Sequence, residues 1–423
     1  MADANDPESG WRTRLTAPGT TLAPFRYPAF RAIWGANLLS QLGSMIQSVA
    51  AAWLMTELTR SHQLVAAVQA ATTLPILLFG VLAGAIADNF DRRRVMLAAQ
   101  WAMLAVSAVL ALLAWLGQIG PFSLIVFTLA VGTGTALNGP AWQASVRAQV
   151  PARDIPHAIS LNTIAFNIAR SAGPALGGIL ISLAGVATAF AINAASFIAL
   201  IVVLMRWRPD MPPPERQAML PSIRIGLAFC LHSNPVRRVL LRGLCVGLGA
   251  AGFQSLLPVL VRDQLHGTEF AFGLMLGAFG IGSILAALAV GPMRRRFGTE
   301  AVTSVGVAAF VTVLPLLTKL DTVGRALPLA FIAGIGWTAC MTTLNLAIQV
   351  RSPDAILGRS LAIYQAVTFG GMALGAWLWG ALADWISLTA ALNGAALWLA
   401  AATIALRLFA PMPAPHEGRV ELR

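Results

Sequence analysis

The sequence predicts an all-α integral membrane protein, with twelve transmembrane helices in two six-helix bundles that repeat in the same orientation. Three observations support this fold class. The 423 residues are 57% hydrophobic and only 11% charged, whereas a soluble domain is about 45–50% apolar and about a quarter charged. Apolar runs long enough to cross a bilayer recur along the whole chain. Basic residues are concentrated in alternate connections between these runs.

The apolar runs are expected to be helices, because backbone groups in hydrocarbon must be hydrogen-bonded within their own segment. A transmembrane helix needs roughly 20 mainly apolar residues. Twelve runs meet this length, six in each half of the chain: 30–56, 64–87, 94–116, 122–147, 157–182, 187–205, 239–261, 270–292, 299–318, 326–349, 356–383 and 388–410.

The connections predict the orientation and the domain boundaries. Those on the side opposite the amino terminus hold only four basic residues, Arg60, Arg262, Lys319 and Arg325. The positive-inside rule therefore predicts that both termini are cytoplasmic. The chain divides into a cytoplasmic segment (1–29), a first bundle (30–205), a central cytoplasmic loop (206–238), a second bundle (239–410) and a tail (411–423). Prolines interrupt the central loop, of which a part could lie flat at the membrane surface as an amphipathic turn or two.

The two halves of the chain match each other when one is shifted by about 200 residues. Several pairs coincide at the same shift: Arg92, Arg93 and Arg94 with Arg294, Arg295 and Arg296, Gly132 and Gly134 with Gly334 and Gly336, Pro151 with Pro353, and Gly173 and Gly178 with Gly375 and Gly380. A parallel repeat of six spans is a transporter architecture, in which the substrate site lies between the halves near the bilayer midplane.

The connection after span two reads "GAIADNFDRRR" (84–94). It resembles the signature loop of the major facilitator superfamily, G-x-x-x-D-R-x-G-R-R/K. Gly84, Asp88, Arg92 and Arg93 match, whereas Asn89 and Asp91 stand where arginine and glycine are usual. This variant, together with the segment 138–178, is similar to the branch that contains siderophore exporters, enterobactin exporters among them, and macrolide-efflux proteins. The resemblance covers nearly the whole chain.

The resemblance implies a secondary active transporter, not an enzyme, that exports amphipathic drug-like or siderophore-like molecules across the bacterial inner membrane by alternating access. A lysophospholipid flippase and a nutrient uptake permease of the same fold are the alternatives. The expected partners are a small-molecule substrate and the lipid bilayer, with proton coupling left open. We expect a monomer, with no cofactor, no metal and no nucleic acid.

The signature loop is predicted to work as a conformational latch. In the family, its carboxylate faces the start of span eleven, so the resemblance implies that Asp88 pairs with Arg359 or with the helix dipole there. Gly84, Arg92 and Arg93 complete the loop. The alternative is that these charges only anchor the helix ends at the lipid headgroups.

Span five contains "ARSAGPALGG" (169–178), which resembles a Gly-Pro motif of exporters in this superfamily. Gly173, Gly177 and Gly178 permit close helix approach, and Pro174 removes a backbone hydrogen bond. The segment is therefore a candidate hinge; ordinary packing of small residues is the alternative.

Polar residues within the spans are candidates for a substrate cavity. Spans one, four, seven, ten and eleven contribute Asn37, Gln41, Ser44, Asn138, Gln143, Gln254, Asn345, Tyr364 and Gln365, and span five adds Arg170. Arg170 lies near mid-bilayer, where a charge needs a cavity or a partner. It could bind an anionic group of the substrate, or it could be held by Asn37, Gln41 or Asn167. No carboxylate lies near mid-bilayer, and Glu57 is the remaining candidate for proton coupling.

Overall fold

The computed structural model describes residues 20–209, 219–353 and 356–412, without the side chains of Asp88, Met219, Leu220 and Ser222. These residues form α-helices and short turns of 3₁₀ or π-helix, with no strand among them. The α-helices are α1 (Pro28–Leu58), α2 (His62–Asn89), α3 (Arg92–Trp115), α4 (Pro121–Ser145), α5 (Ile155–Arg206), α6 (Met219–His232), α7 (Asn234–Val259), α8 (Glu269–Leu317), α9 (Val323–Arg351), α10 (Leu357–Trp385) and α11 (Leu388–Phe409). All except α6, ten in the described part of the chain, are long and apolar enough to cross a membrane.

Two of these helices are interrupted by a glycine. The 52 residues of α5 and the 49 of α8 would each extend about 75 Å as one straight helix, more than twice the ~30 Å of bilayer hydrocarbon. Gly185 (φ 78°) in α5 and Gly298 (φ 84°) in α8 leave the helical conformation. Their positive φ values favour glycine, which has no Cβ. Each helix therefore has two arms, which coincide with the predicted spans five and six and spans eight and nine.

Local sequence explains where several helices begin. Ser61 caps α2 by accepting a hydrogen bond from Leu64 N. Asp91 caps α3 through the backbone N–H groups of Arg93 (2.9 Å) and Arg94 (3.4 Å). Ser387 caps α11 in the same manner. A capping side chain satisfies amide donors that have no partner within the helix, which fixes the short turns between consecutive helices.

Contacts between helix ends define two ends of the helical body. At the first, which we call the Arg93 end, Arg93 donates hydrogen bonds to the carbonyl groups of Leu204 (2.7 Å) and Met205 (2.9 Å) in the last turn of α5. At the opposite end, the Asp384 end, the carboxylate of Asp384 meets the start of α2. Arginine at a helix C-terminus satisfies free carbonyls and complements the helix dipole.

The outer surface of the helical body is strongly apolar. Leu183, Leu288 and Leu397 are 82%, 74% and 70% exposed, and many other large apolar side chains are also exposed. So many exposed large apolar side chains indicate contact with a membrane rather than with water. The interior is built from fully buried aromatic and aliphatic side chains such as Phe190 and Phe253.

Glycines at repeat-related positions contact repeat-related helices. In α4, Gly132 faces the backbone of α2, and Gly134 faces Met103 of α3; in α9, Gly334 faces the first arm of α8 and Gly336 the second. The glycine pairs of spans five and eleven also make corresponding contacts in the two halves. Gly173 and Gly375 face α1 and α7, the first long helix of each half, whereas Gly178 faces α8 and Gly380 faces α2, both in the opposite half.

In the described part of the connector between the halves, residues Met219–His232 form the helix α6, which has 14 described residues. It is longer than the turn or two expected from the sequence. Ile225, Leu227 and Leu231 are exposed on it, while Gly226 packs against Arg359 at the start of α10, where an added Cβ would lie 2.9 Å from Arg359 Cβ. The connector is therefore docked on the second half at the Arg93 end.

Candidate functional site

The first half (α1–α5) and the second half (α7–α11) meet along two crossings. At the first, the backbones of α5 and α8 approach each other closely, and no side chain lies between them at Gly178 and Gly273. A Cβ on Gly178 would lie 2.8 Å from the carbonyl oxygen of Glu269 and 2.9 Å from Gly273 Cα, and one on Gly280 would lie 2.5 Å from Ser171 Cα. Only glycine permits this backbone approach.

The second crossing joins α2 to α10. Gly370 faces Leu77, and Gly380 faces Ala66 and Gln63. Near the Asp384 end, the ring of Trp53 in α1 is stacked on that of Phe272 in α8, with the ring centroids 6.1 Å apart. The named contacts between the halves therefore extend from mid-height to the Asp384 end.

Asp384, in the last turn of α10, binds the first turn of α2 across the halves. Its carboxylate accepts hydrogen bonds from His62 N (2.6 Å), Gln63 N (3.1 Å) and Ser61 Oγ (2.6 Å). A carboxylate is unfavourable at the C-terminus of its own helix but favourable at the N-terminus of another. The position of Asp384 is therefore explained by α2 and not by α10.

A second group of charges lies beside this one. Arg262 binds the carboxylate of Asp263 and donates hydrogen bonds to the backbone carbonyls of Thr56 and Thr59 at the end of α1. The His62 ring lies between the two carboxylates, with Nδ1 3.2 Å from Asp384 Oδ1 and Nε2 3.7 Å from Asp263 Oδ2. The ends of α1, α2, α7 and α10 are thus joined in one charged network.

Arg170 points from the first half toward aromatic rings of the second half. Its guanidinium carbon lies 5.8 Å from the centre of Phe279 in α8 and 5.6 Å from that of Trp337 in α9, within the range of cation–π attraction. Among the described residues, no hydrogen bond joins it to Asn37, Gln41 or Asn167, and Asn167 instead donates to Thr163 O. The alternative in which these amides hold Arg170 is absent from this structure.

Four of the predicted cavity residues have a buried polar atom without a hydrogen-bond partner in the described part of the chain. They are Nδ2 of Asn37, Oε1 of Gln41, Oδ1 of Asn138 and Nε2 of Gln254. Buried polar groups are normally bonded, and each exception needs an explanation, such as a water or a ligand. These atoms come from α1, α4 and α7, in both halves.

The other predicted cavity residues are hydrogen-bonded within their own helix, exposed at the surface or buried by packing. Ser44 Oγ donates to Ser40 O in its own helix, and Asn345 Oδ1 accepts from Gln349 (2.6 Å). Gln143 and Gln365 are exposed. Tyr364 is only 3% exposed and its ring packs against Gly243 of α7.

The predicted hinge segment is helical throughout, because the only interruption in α5 is at Gly185. Gly173 and Gly177 face α1 within the first half, whereas Gly178 faces α8 of the second half. Pro174 is buried, and its carbonyl oxygen would lie 2.9 Å from a Cβ placed on Gly273 of α8. The motif therefore makes one contact inside its half and one between the halves.

The structure describes every side chain of the predicted latch except that of Asp88. The side chain of Asp88 lies outside the described residues, and Gly84 has no atom near enough to restrict a side chain there. Arg92 donates to Ala144 O at 3.2 Å, and Arg93 binds the end of α5. Arg359 supports α6 through its contact with Gly226.

Glu57 lies at the Asp384 end, on the exposed surface of α1. It accepts a hydrogen bond from Trp53 Nε1 at 2.9 Å. With Glu269 and Trp115 it lines an open cleft of about 430 Å³. In the described ranges, no group of three or more His, Cys, Asp or Glu could hold a metal ion.

Sequence reasoning missed both the Asp384 network and the aromatic partners of Arg170. The relevant residues are far apart in the chain, so their pairing leaves no local pattern. One signal was present: an aspartate in the last turn of a predicted span opposes the helix dipole and therefore needs an external partner.

Comparison with known families gives one match over nearly the whole chain. Residues 19–419 match the family described as transmembrane secretion effector. Among curated proteins, the multidrug efflux pump Tap of Mycolicibacterium fortuitum is 27% identical over 82% of this chain and 88% of its own length. The enterobactin exporter EntS of Shigella boydii is 26% identical (84% and 85%), and the staphyloferrin A transporter of Staphylococcus aureus is 26% identical (63% and 67%).

Solved structures agree on the fold. A transporter of the POT family, in complex with a thioalcohol-conjugated peptide, superposes with a TM-score of 0.73 at 13% identity, over 90% of this chain and 96% of the other. A bacterial homologue of the iron transporter ferroportin, in an inward-facing state, gives 0.70 at 14% identity over 89% and 98%.

Proposed function

Because this chain belongs to the transmembrane secretion effector family of the major facilitator superfamily, we propose that it exports amphipathic small molecules by alternating access. Family membership makes it a multi-pass membrane transporter and not an enzyme. The direction of transport, the substrate class and the mechanism are the content of the proposal.

Twelve spans in two six-helix bundles are the architecture on which the proposal rests. The breaks at Gly185 and Gly298 support it, because they divide α5 and α8 into four arms of ordinary span length. The repeat-related glycine contacts support a pseudo-two-fold relation between the halves. Such halves rock against each other around a central site.

The Arg93 end is assigned to the cytoplasm of a bacterial inner membrane. The argument is the distribution of basic residues, which are abundant at this end and sparse at the Asp384 end, as the positive-inside rule requires. Both termini are then cytoplasmic. In this orientation Asp384, His62 and Arg262 form an outer gate, which is closed here. Asp88 and Arg359 are proposed to form the corresponding inner latch.

One observation carries the substrate proposal: Arg170 reaches across the halves to Phe279 and Trp337. In addition, Nδ2 of Asn37 and Nε2 of Gln254, which are buried without a hydrogen-bond partner among the described residues, lie on helices of opposite halves. A site of this kind offers aromatic faces, hydrogen-bonding amides and one positive charge. Small-molecule sites are mostly apolar with a few placed polar groups. The ligand that best fits such a site is an amphipathic molecule with an aromatic or acyl body.

Export is favoured over uptake by the names of the relatives, among them a multidrug efflux pump and an enterobactin exporter. The lysophospholipid flippase is the second candidate, because the single guanidinium of Arg170 is suited to a phosphate group. Glu57 is retained as the sequence-derived candidate for proton coupling, although its exposed position offers no shielded path. We expect the transporter to act as a monomer.

The experiment is a transport panel in everted membrane vesicles, with and without a pH gradient. It compares an aromatic cationic dye, an iron-free catecholate siderophore and a lysophospholipid. Accumulation of the dye or the siderophore that collapses with the gradient supports export. Lysophospholipid movement that ignores the gradient supports the flippase, and loss of substrate from the vesicles indicates uptake.

A matched pair of variants makes the test specific for the site. Arg170→Gln removes the charge between the aromatic rings, whereas Asn167→Ala changes a residue one turn away that is bonded within its own helix. The proposal requires Arg170→Gln to alter transport of anionic substrates by tenfold or more, at ~1.4 kcal/mol per tenfold, and Asn167→Ala to leave it unchanged. Equal effects of both variants would reject the site.

A further inference from the structure

His62 is placed between two carboxylates that belong to the opposite half. Its ring nitrogens lie 3.2 Å from Asp384 and 3.7 Å from Asp263. The three side chains are 24%, 25% and 32% exposed, so they are partly shielded from water. Histidine is the side chain that changes charge between about pH 5 and 8 when unperturbed.

The carboxylate of Asp384 does not need His62 to be charged. It accepts two backbone N–H groups and one hydroxyl group at the start of α2, so the gate can close around a neutral ring. A proton on His62 adds attraction to Asp384 and Asp263 that is present only when the halves are together. The proton therefore strengthens a contact that already exists.

Other charges near His62 act in the opposite sense. The ring belongs to the first residue of α2, where the positive end of the helix dipole disfavours a cation. Arg262 and Arg60 lie close to Asp263 and also repel a charged ring. When the gate is closed, the two carboxylates offset these effects. When the second half moves away, its carboxylates leave, and the repulsion from the dipole and from Arg60 remains.

Three other carboxylates at this end are directed elsewhere. Glu57 in α1 is bonded to Trp53, and Glu269 at the start of α8 lines the cleft beside Glu57. Asp321 is paired with Arg325. The balance at His62 is therefore set by Asp263 and Asp384 against the dipole and the two arginines.

We propose that His62, Asp263 and Asp384 form a proton-binding site at the outer gate, and that a proton taken from the outer side closes this gate. The inference rests on the proposed orientation and alternating-access cycle. By linkage, a proton that binds the closed state better than the open state shifts the gate toward closure by the same factor. The closed-to-open ratio rises as the outer pH falls. An acidic exterior would then speed the return of the emptied transporter.

The test measures the gate directly and needs no substrate. Spin labels are attached to Gln118→Cys in the first half and Asp321→Cys in the second, both exposed at the Asp384 end. The three native cysteines are replaced by alanine. Electron–electron distances are recorded for the full chain in nanodiscs between about pH 8 and about pH 5.5, the interval in which imidazole titrates.

We expect the closed-to-open ratio of the parent to rise about tenfold over this interval, within the ~5- to 150-fold range of ordinary coupling between sites. His62→Gln should remove the rise. Asp263→Asn should reduce it while leaving the backbone cap by Asp384 intact. His157→Gln, at the Arg93 end, is the control histidine and should titrate like the parent. Monodisperse elution of each variant shows that it is folded.

A parent ratio that does not change with pH overturns the proposal, and so does a His62→Gln variant that keeps the parental rise. Failure of the proposed function looks different. If no panel compound is exported in vesicles but the gate still closes with acid only when His62 is present, the proton site stands and the export proposal fails. If export is observed while the gate ignores pH, the proton site alone fails.

Discussion

Gly178→Ala should shift the transporter toward a state that is open at the Asp384 end. Gly178 lies at the crossing of α5 and α8, where an added Cβ would meet only backbone atoms, 2.8 Å from the carbonyl oxygen of Glu269 and 2.9 Å from Gly273 Cα. Backbone atoms cannot rotate out of the way as the end of a side chain can. The two helices must therefore separate to accept the methyl group.

The size of the effect follows from these distances. Carbon atoms in contact prefer a separation of about 3.5–4.0 Å, so the helices must move apart by roughly 0.6–1 Å. Overpacking of a close contact costs about 1–3 kcal/mol. The cost applies to the closed gate and not to a state in which α5 and α8 have separated. The open-to-closed ratio should therefore rise by about 5- to 150-fold.

The assay is the spin-label distance between the two halves at the Asp384 end, measured at a single pH so that histidine titration does not contribute. The matched control is Gly177→Ala, one residue earlier. Its Cβ would be 3.3 Å from Ile46 Cα and from Val49 Cβ, which is tight but lies within the first half. This control should lower stability slightly and leave the distance distribution unchanged.

Two results would refute the reasoning. In the first, Gly178→Ala keeps the parental distances, which would mean that the crossing is not tight in the closed state. In the second, Gly177→Ala opens the gate as much as Gly178→Ala, which would mean that the effect is a general loosening of α5. Gly273→Ala fills the same gap from the other side, so it should open the gate like Gly178→Ala.

Three further predictions concern the Arg93 end. Exchanging the charges of Asp88 and Arg359 in a double variant should restore transport lost in each single charge reversal; two independent defects without rescue would exclude their pairing as a latch. Arg93→Met should lower the free energy of unfolding by about 1–2 kcal/mol, because two hydrogen bonds to the last turn of α5 are lost, whereas Arg94→Met, at a side chain that is 85% exposed, should leave the melting temperature unchanged. Arg242→Met should cost about 1–3 kcal/mol, because the carbonyl groups of Leu406 and Ala410 lose a donor and Glu300 keeps, among the described residues, only its hydrogen bond from Met412 N; a thermal shift of less than about 2 °C would contradict this, since 1 kcal/mol corresponds to several degrees in a domain.

Much of the helical architecture could be predicted from the sequence, because hydropathy and the need to bond the backbone in lipid are local constraints. The predicted boundary between spans five and six coincides with Gly185, and that between spans eight and nine with Gly298. The sequence did not reveal that these connections are single-glycine breaks. Whether a helix stops or bends at one glycine depends on what packs beside it.

The site was less accessible to sequence reasoning. Helical rise predicted a position near mid-bilayer for Arg170, but it could not predict the partners of Arg170, since Phe279 and Trp337 look like ordinary core residues in sequence. The buried amides of Asn37 and Gln254 were expected near the substrate path because polar side chains are costly in a span. The pairing of His62 with Asp384 joins residues from opposite halves. Only the position of Asp384 in a last turn hinted at it.

The glycine crossing divides α5 into arms of unequal length. From Gly178 to Ile155 the helix extends about 35 Å, whereas from Gly178 to Gly185 it extends about 10 Å. Only about two helical turns of α5 lie between Gly178 and Gly185, whereas about six lie between Gly178 and Ile155. A separation of α5 from α8 at Gly178 is therefore passed almost directly to the Asp384 end, while the long arm can absorb it by a slight bend along its length. The crossing thus controls the Asp384 end more tightly than the Arg93 end.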